Sequence, residues 1–164
     1  MAMSEEEFVA RYGGIYEHSP WVAECAAAVV ADATDVETVA RVMSDCVDNA
    51  SRDQQLTLIR AHPDLAGKAH IAGELTASST REQANAGLDQ CTPEEYARFQ
   101  TLNRDYHEKF DFPFVMAVSG SSRSQILDAF ERRLHNDRET EFETALAEIH
   151  RIARLRLEAL EQQS

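Results

Sequence analysis

The stretch TPEEYARFQTLNRDYHEKF, residues 92–110, decides the fold class. Thr92 and Glu95 stand at the spacing of a capping box, in which the hydroxyl and the carboxylate each satisfy a backbone N–H that the first helical turn leaves open. Pro93 takes the first helical position, where its missing N–H costs nothing. Tyr96, Phe99, Leu102, Tyr106 and Phe110 follow at steps of three and four, so they share one face of an α-helix.

The same grammar repeats outward. Upstream, Ser4 to Glu7 has capping-box spacing, and Phe8, Val9 and Tyr12 follow before Gly13-Gly14 stops the segment. Ser19-Pro20 opens a second helix with Trp21, Val22, Cys25 and Val29 as its apolar face. Asp35 caps a third carrying Val36, Val39, Met43, Cys46 and Val47. Ser51 or Asp53 caps a fourth, which runs through Leu56 and Ile59 to His62, where Pro63 ends it. Downstream of FDFPFVMAVSG, residues 110–120, Ile126, Leu127, Phe130 and Leu134 mark another helix, and Glu139 to Glu161 a long last one. Strand alternation is missing except for the short run Phe114 to Val118, and no linker or repeat divides the chain. The expectation is an all-α, multi-helix single domain over residues 1–164.

Composition narrows the function classes. The 164 residues are 43% hydrophobic and 27% charged, enough for a core without metal or disulfides, and no apolar run approaches a membrane span. With 29 acidic against 16 basic residues the net charge is -13, which repels nucleic acid phosphates and anionic lipid. An anionic substrate would need a local gathering of the few positive groups. The acidic start MAMSEEEFVARY lacks a secretory pattern and the ending LEQQS lacks a peroxisomal one, so the expected location is cytoplasmic. Cys25, Cys46 and Cys91 form no CxxC pair and are expected as reduced, buried thiols. Among the six histidines none makes an HxxxH or HExxH pattern, so no metal site is expected.

Three constellations could carry chemistry. His62, directly before Pro63, is pushed out of the α region and stands at a helix end, where an imidazole can serve as general acid or base near neutral pH. A capping or surface role is the plainer reading of that residue alone. Ser79 and Glu82 have capping-box spacing, and the helix start Ser79-Thr80-Arg81-Glu82-Gln83 either caps itself or cradles a polar small molecule. Arg156 falls on the apolar stripe Phe142, Leu146, Ile149, Ala153 and Leu160 of the last helix, so it points inward. A guanidinium there keeps its charge and needs a carboxylate, a carbonyl or a ligand as partner.

HPDLAGK at 62–68, STREQANAGL at 79–88 and YHEKFDFPFVMAVSG at 106–120 together resemble the 2-oxo-4-hydroxy-4-carboxy-5-ureidoimidazoline (OHCU) decarboxylase family. The likeness runs from YGGIYEHSPW near the start to EIHRIARLRLEAL at the end. It implies an all-helical fold, a homodimer, no metal or organic cofactor, and decarboxylation of a small ureidoimidazoline to (S)-allantoin. By the same resemblance His62 is the catalytic histidine, with Ser79 and Glu82 as polar partners. The substrate pocket takes Pro63, Thr80, Arg81, Gln83, the segment Phe114, Val115, Met116, Ala117 and Val118, and the inward Arg156. Ser119 stands before Gly120 where many members have lysine, which leaves any role of that cation open. Two other readings use the same residues: a cofactor-free hydrolase or racemase on a related ureide, and a helical binding module whose HPDL and STREQ segments are ordinary caps.

Overall fold

A computed structural model describes residues 4–29, 35–66 and 76–162, and Gly67 and Lys68 of the HPDLAGK motif lie outside the described residues. Those residues form eight α-helices and one 3-10 turn, with no strand among them, so the all-α expectation holds. They divide into two compact units, residues 1–61 with 149–164 and residues 62–148.

The first unit holds α1 (Glu5–Tyr12), α2 (Pro20–Ala27), α3 (Val36–Asp48), α4 (Arg52–Ala61) and the C-terminal part of α8 (Arg138–Gln162). Ser4 caps α1 by accepting the Glu7 N–H. At α4 it is Ser51, rather than Asp53, that caps: its hydroxyl accepts the Gln54 N–H while the Gln54 side chain accepts the Ser51 N–H. α1 packs on α2 and α2 on α3. The face of α2 differs from the expected one, since Val22, Ala23, Ala26 and Ala27 are buried while Cys25 and Val29 are exposed. Small alanines let the helix approach its neighbours closely, which a face of larger side chains would prevent.

The cysteine expectation is corrected here as well. Cys25 and Cys46 are joined by a disulfide, with their Cα atoms 6.2 Å apart. The packing of α2 on α3 brings these two residues side by side although 21 positions separate them in sequence. Cys91 keeps its thiol, which donates to the Leu88 carbonyl.

The second unit holds α5 (Ala77–Asn85), the turn Leu88–Gln90, α6 (Pro93–Phe110), α7 (Arg123–Leu134) and the start of α8. α6 is the helix of the opening stretch, and both bonds of its capping box form. Phe99, Leu102, Tyr106 and Phe110 are buried along it, and so is Asn103, a polar residue. Tyr106 lies edge-on to Phe112, Phe114 and Phe130, and Phe114 stacks on Phe130 at 4.0 Å between centroids. Each such fully buried ring contributes about 1.5–3 kcal/mol. Asp111 ends α6 in the left-handed region at φ 63, a conformation aspartate tolerates, and turns the chain into the irregular segment 113–118.

Candidate functional site

His62 is the first residue after α4 and is buried, at 7% exposure. Pro63 follows with its φ fixed by the ring, and residues Asp64 to Ala66 then turn, with Ala66 at φ 52. Four side chains of the same unit hold this turn. Gln83 accepts the Ala66 N–H at 3.0 Å and donates to the Asp64 carbonyl at 3.3 Å. Gln100 donates to the Ala66 carbonyl at 2.8 Å and Asn103 to the Leu65 carbonyl at 3.0 Å. His107 bonds the Asp64 carboxylate at 2.7 Å. The histidine is thus mounted on a short strap whose backbone polar groups are taken up by side-chain amides instead of water.

α5 begins one turn earlier than expected. Thr76 is its N-cap and accepts the Ser79 N–H at 3.2 Å, so the predicted Ser79–Glu82 capping box gives way to a Thr76–Ser79 cap. Either residue can cap, and sequence spacing does not say which one the chain uses. Because Ser79 is inside the helix, Ser79, Glu82, Gln83 and Ala86 line one face at steps of three and four. Ser79 and Gln83 are buried at 4% and 2%, and Glu82 is half-buried. Thr80 and Arg81, expected beside them, are exposed on the other side. The Thr80 N–H bonds the Thr76 carbonyl, which with the Ser79 bond occupies two of the N–H groups that a ligand cradle would have used.

The segment 113–118 is fixed from two sides within the same unit. Arg133 donates to the Val115 carbonyl at 2.6 Å and lies over the Phe114 ring, while Glu148 accepts the Ala117 N–H at 3.1 Å. Arg133 is held in turn by Glu141, a fully buried carboxylate that also accepts from the Tyr106 hydroxyl at 2.6 Å and from Asn136 at 2.9 Å. Burial first, and then the bond to Glu141, push the Tyr106 hydroxyl far above its ordinary pKa, so it stays a donor. Phe114, Val115, Ala117 and Val118 are buried and Met116 half-buried; the Ala117 N–H, one of the expected ligand donors, is engaged by Glu148. Ser119 is exposed beside Gly120, whose φ of 80 suits glycine.

Arg156 belongs to the other unit and points inward as its stripe requires, at 7% exposure. It donates to Glu17, itself 2% exposed, at 3.0 Å and to the Ile15 carbonyl at 3.3 Å. Its partners are a protein carboxylate and a carbonyl, two of the three kinds the sequence left open. Among the described residues no group of three His, Cys, Asp or Glu is placed to hold a metal ion. A groove of about 500 Å³ in the first unit is lined by Glu5, Glu6 and Glu24 around Val9, Ala10 and Ala27, walls that repel an anion.

Sequence reasoning missed the supports: Gln100, Asn103 and His107 under the strap, Arg133, Glu141 and Glu148 around 113–118, and Glu17 beside Arg156. One signal was present, because Gln100, Asn103 and His107 repeat at steps of three and four on α6 just as its aromatic residues do. The second unit therefore offers an imidazole, a hydroxyl, a carboxylate and an amide on two tied elements, a set suited to proton transfer on a polar small molecule.

A family model described as OHCU decarboxylase matches residues 1–158. A Haloferax volcanii protein named 2-oxo-4-hydroxy-4-carboxy-5-ureidoimidazoline decarboxylase is 46% identical over 155 residues, covering 94% of this chain and 89% of that protein. The uric acid degradation bifunctional protein PucL of Bacillus subtilis is 43% identical over 145 residues, 88% of this chain and 28% of that longer protein. Among solved structures, a crystal structure of (S)-allantoin synthase is similar with a TM-score of 0.76 and 33% identity, covering 95% of this chain and 50% of that one.

Proposed function

Because this chain belongs to the OHCU decarboxylase family, we propose that it is a carboxy-lyase of urate degradation that converts OHCU to allantoin and carbon dioxide. The observation that carries this is the 46% identity to a decarboxylase across 94% of the chain. The reading takes both units as one working domain, which the family match over residues 1–158 supports.

The chemistry asks little of the protein beyond placement. The bond between the ring carbon and the carboxylate breaks, carbon dioxide leaves, and the electron pair passes into the adjoining unsaturated imidazoline. A proton then adds to one face of the ureido-bearing ring carbon, and the hydroxyl carbon becomes the ring carbonyl as its O–H proton is given up and the ring nitrogen that received the electron pair takes one up. The substrate supplies its own electron sink, so the protein needs only to orient the leaving carboxylate and stabilise developing charge. For this reason the proposed reaction uses no cofactor; exhaustive dialysis against a chelator should leave the turnover unchanged, and loss restored by a metal would refute it.

His62 is the proposed proton donor. Delivery from one imidazole, held on one side of the ring, would yield the S enantiomer alone. Ser79 and Glu82, on the inward face of α5, bind the hydroxyl and ureido groups in this scheme, and backbone groups of 114–118 hold the ring carbonyl. Gln83 and Pro63 shape the wall beside His62. Arg156 takes the role implied by the resemblance, contact with a substrate oxygen. Thr80 and Arg81 receive no direct contact, in keeping with their exposure.

A homodimer and a cytoplasmic location complete the proposal. Sedimentation at micromolar concentration tests the first, and a monomer would overturn it. The second carries a condition, since a reducing compartment keeps thiols reduced and Cys25 and Cys46 would be dithiols there. Thiol trapping in intact cells decides that point, and a trapped disulfide would count against the location.

The decisive experiment generates OHCU in situ from urate with urate oxidase and hydroxyisourate hydrolase and follows (S)-allantoin by circular dichroism. Wild type should give rapid, enantiopure product, and His62→Asn should keep the fold and lose about 10²- to 10⁴-fold in rate. An unaccelerated racemic background would sink the decarboxylase, and an asparagine variant with full kcat would remove His62 from its role.

A further inference from the structure

The strap that carries His62 is tied in an ordered way. Gln100, Asn103 and His107 lie on one face of α6, and they bond Ala66, Leu65 and Asp64 respectively, so that three residues at steps of three and four along the helix hold three successive strap residues in reverse order. From α5, Gln83 closes the same turn through the Ala66 N–H and the Asp64 carbonyl.

We propose that Gln100, Asn103 and His107 are positioning residues that fix the His62 imidazole by anchoring Asp64, Leu65 and Ala66; this rests on the reading of His62 as proton donor. Proline fixes its own φ and the peptide bonds are planar. Between the His62 Cα and the backbone of Asp64 there remain only the ψ angles of His62 and Pro63 and the φ of Asp64. Once residues 64–66 are held, little backbone freedom is left at the histidine. Ala66 is kept at φ 52, a conformation that a non-glycine residue adopts only when its surroundings over-determine it, and here its N–H and its carbonyl are both bonded by side chains. Asn103 is itself 4% exposed, so its amide is committed to the protein interior. None of the three touches the reacting atoms in this scheme; they act through the strap.

The prediction concerns kcat more than KM, because a displaced proton donor weakens the transition state while the ring stays bound by other groups. Gln100→Met and Asn103→Leu should each lower kcat about tenfold and together about a hundredfold, with KM changed by no more than about twofold. In a His62→Asn background the same pair should cause no further loss, since no imidazole remains to be positioned. An equal fractional loss in that background, or a rise in KM with kcat intact, would make the clamp merely structural. If Asn103→Leu does not fold, Gln100→Met with His107→Phe puts the same question at partly exposed sites.

A second readout does not depend on turnover. The His62 imidazole resonance, identified by its absence from His62→Asn, should be single in the wild type and broadened or split in the clamp variants. A single, unshifted resonance in the variants overturns the proposal. If the wild type failed to decarboxylate OHCU while the variants freed the imidazole, the positioning would stand and the assigned reaction would fall.

Discussion

Arg156 and Glu17 are each nearly enclosed, and that enclosure sets the cost of changing either one alone. Two charges out of water are tolerable while they face each other and the Ile15 carbonyl takes another guanidinium N–H. Arg156→Met leaves a buried carboxylate without its main counter-charge, so the loss should be about 3–5 kcal/mol in urea unfolding. Glu17→Gln should cost a comparable amount, and the double variant should recover most of it because neither charge then remains. Single variants within about 1 kcal/mol of wild type would show that solvent reaches the pair. An activity test at this position is therefore cleaner with Arg156→Lys, which keeps the charge and loses the planar fork. The inward aim of Arg156 is legible in the sequence because a regular helix fixes which neighbours share its face. Glu17 is not, since it sits in an irregular segment where no period tells inside from outside.

At the scale of elements, α6 shows how much local chemistry can specify. Glu95 accepts the Thr92 N–H at 2.9 Å and pairs with Arg123 at 3.0 Å. The backbone N–H of Thr92 first, and then Arg123, hold its carboxyl below the ordinary value of 4.5. A depressed folded-state pKa contributes stability that is complete above 4.5 and is lost as pH falls through the lower folded value. Glu95→Gln keeps the cap geometry without the charge, so it should melt below wild type at neutral pH and together with it in more acid solution. A gap that persists unchanged in acid would assign the effect to shape. Start signals read from the sequence place α1, α4 and α6 correctly, but at α5 two capping residues compete and the chain uses Thr76. The disulfide between α2 and α3 escapes sequence reading because it depends on which helices pair, a non-local fact. It closes a loop of 21 positions, so its reduction should cost about 3 kcal/mol by chain entropy. Without reductant one thiol should titrate in the unfolded chain, and three after reduction; three from the start would mean that the pair is open in solution.

For the whole molecule the governing quantity is charge. A net -13 surrounds a site proposed to receive an anion, so the long-range field opposes encounter while the close polar contacts proposed for the site favour it. These two contributions respond differently to salt. The field reaches about 30 Å at 0.01 M ionic strength and about 8 Å at 0.15 M, whereas contacts in a water-poor site are screened far less. Raising salt over that range should therefore lower KM for OHCU and leave kcat unchanged, because the chemical step takes place after the ion has crossed the field. Allantoin is neutral, so its inhibition constant as product should stay flat over the same range and rule out a general effect of salt on the protein. A KM that rises with salt would mean that the few positive groups create a local potential strong enough to outweigh the acidic surface. The positive groups proposed to bind the substrate would then act in capture as well as in binding.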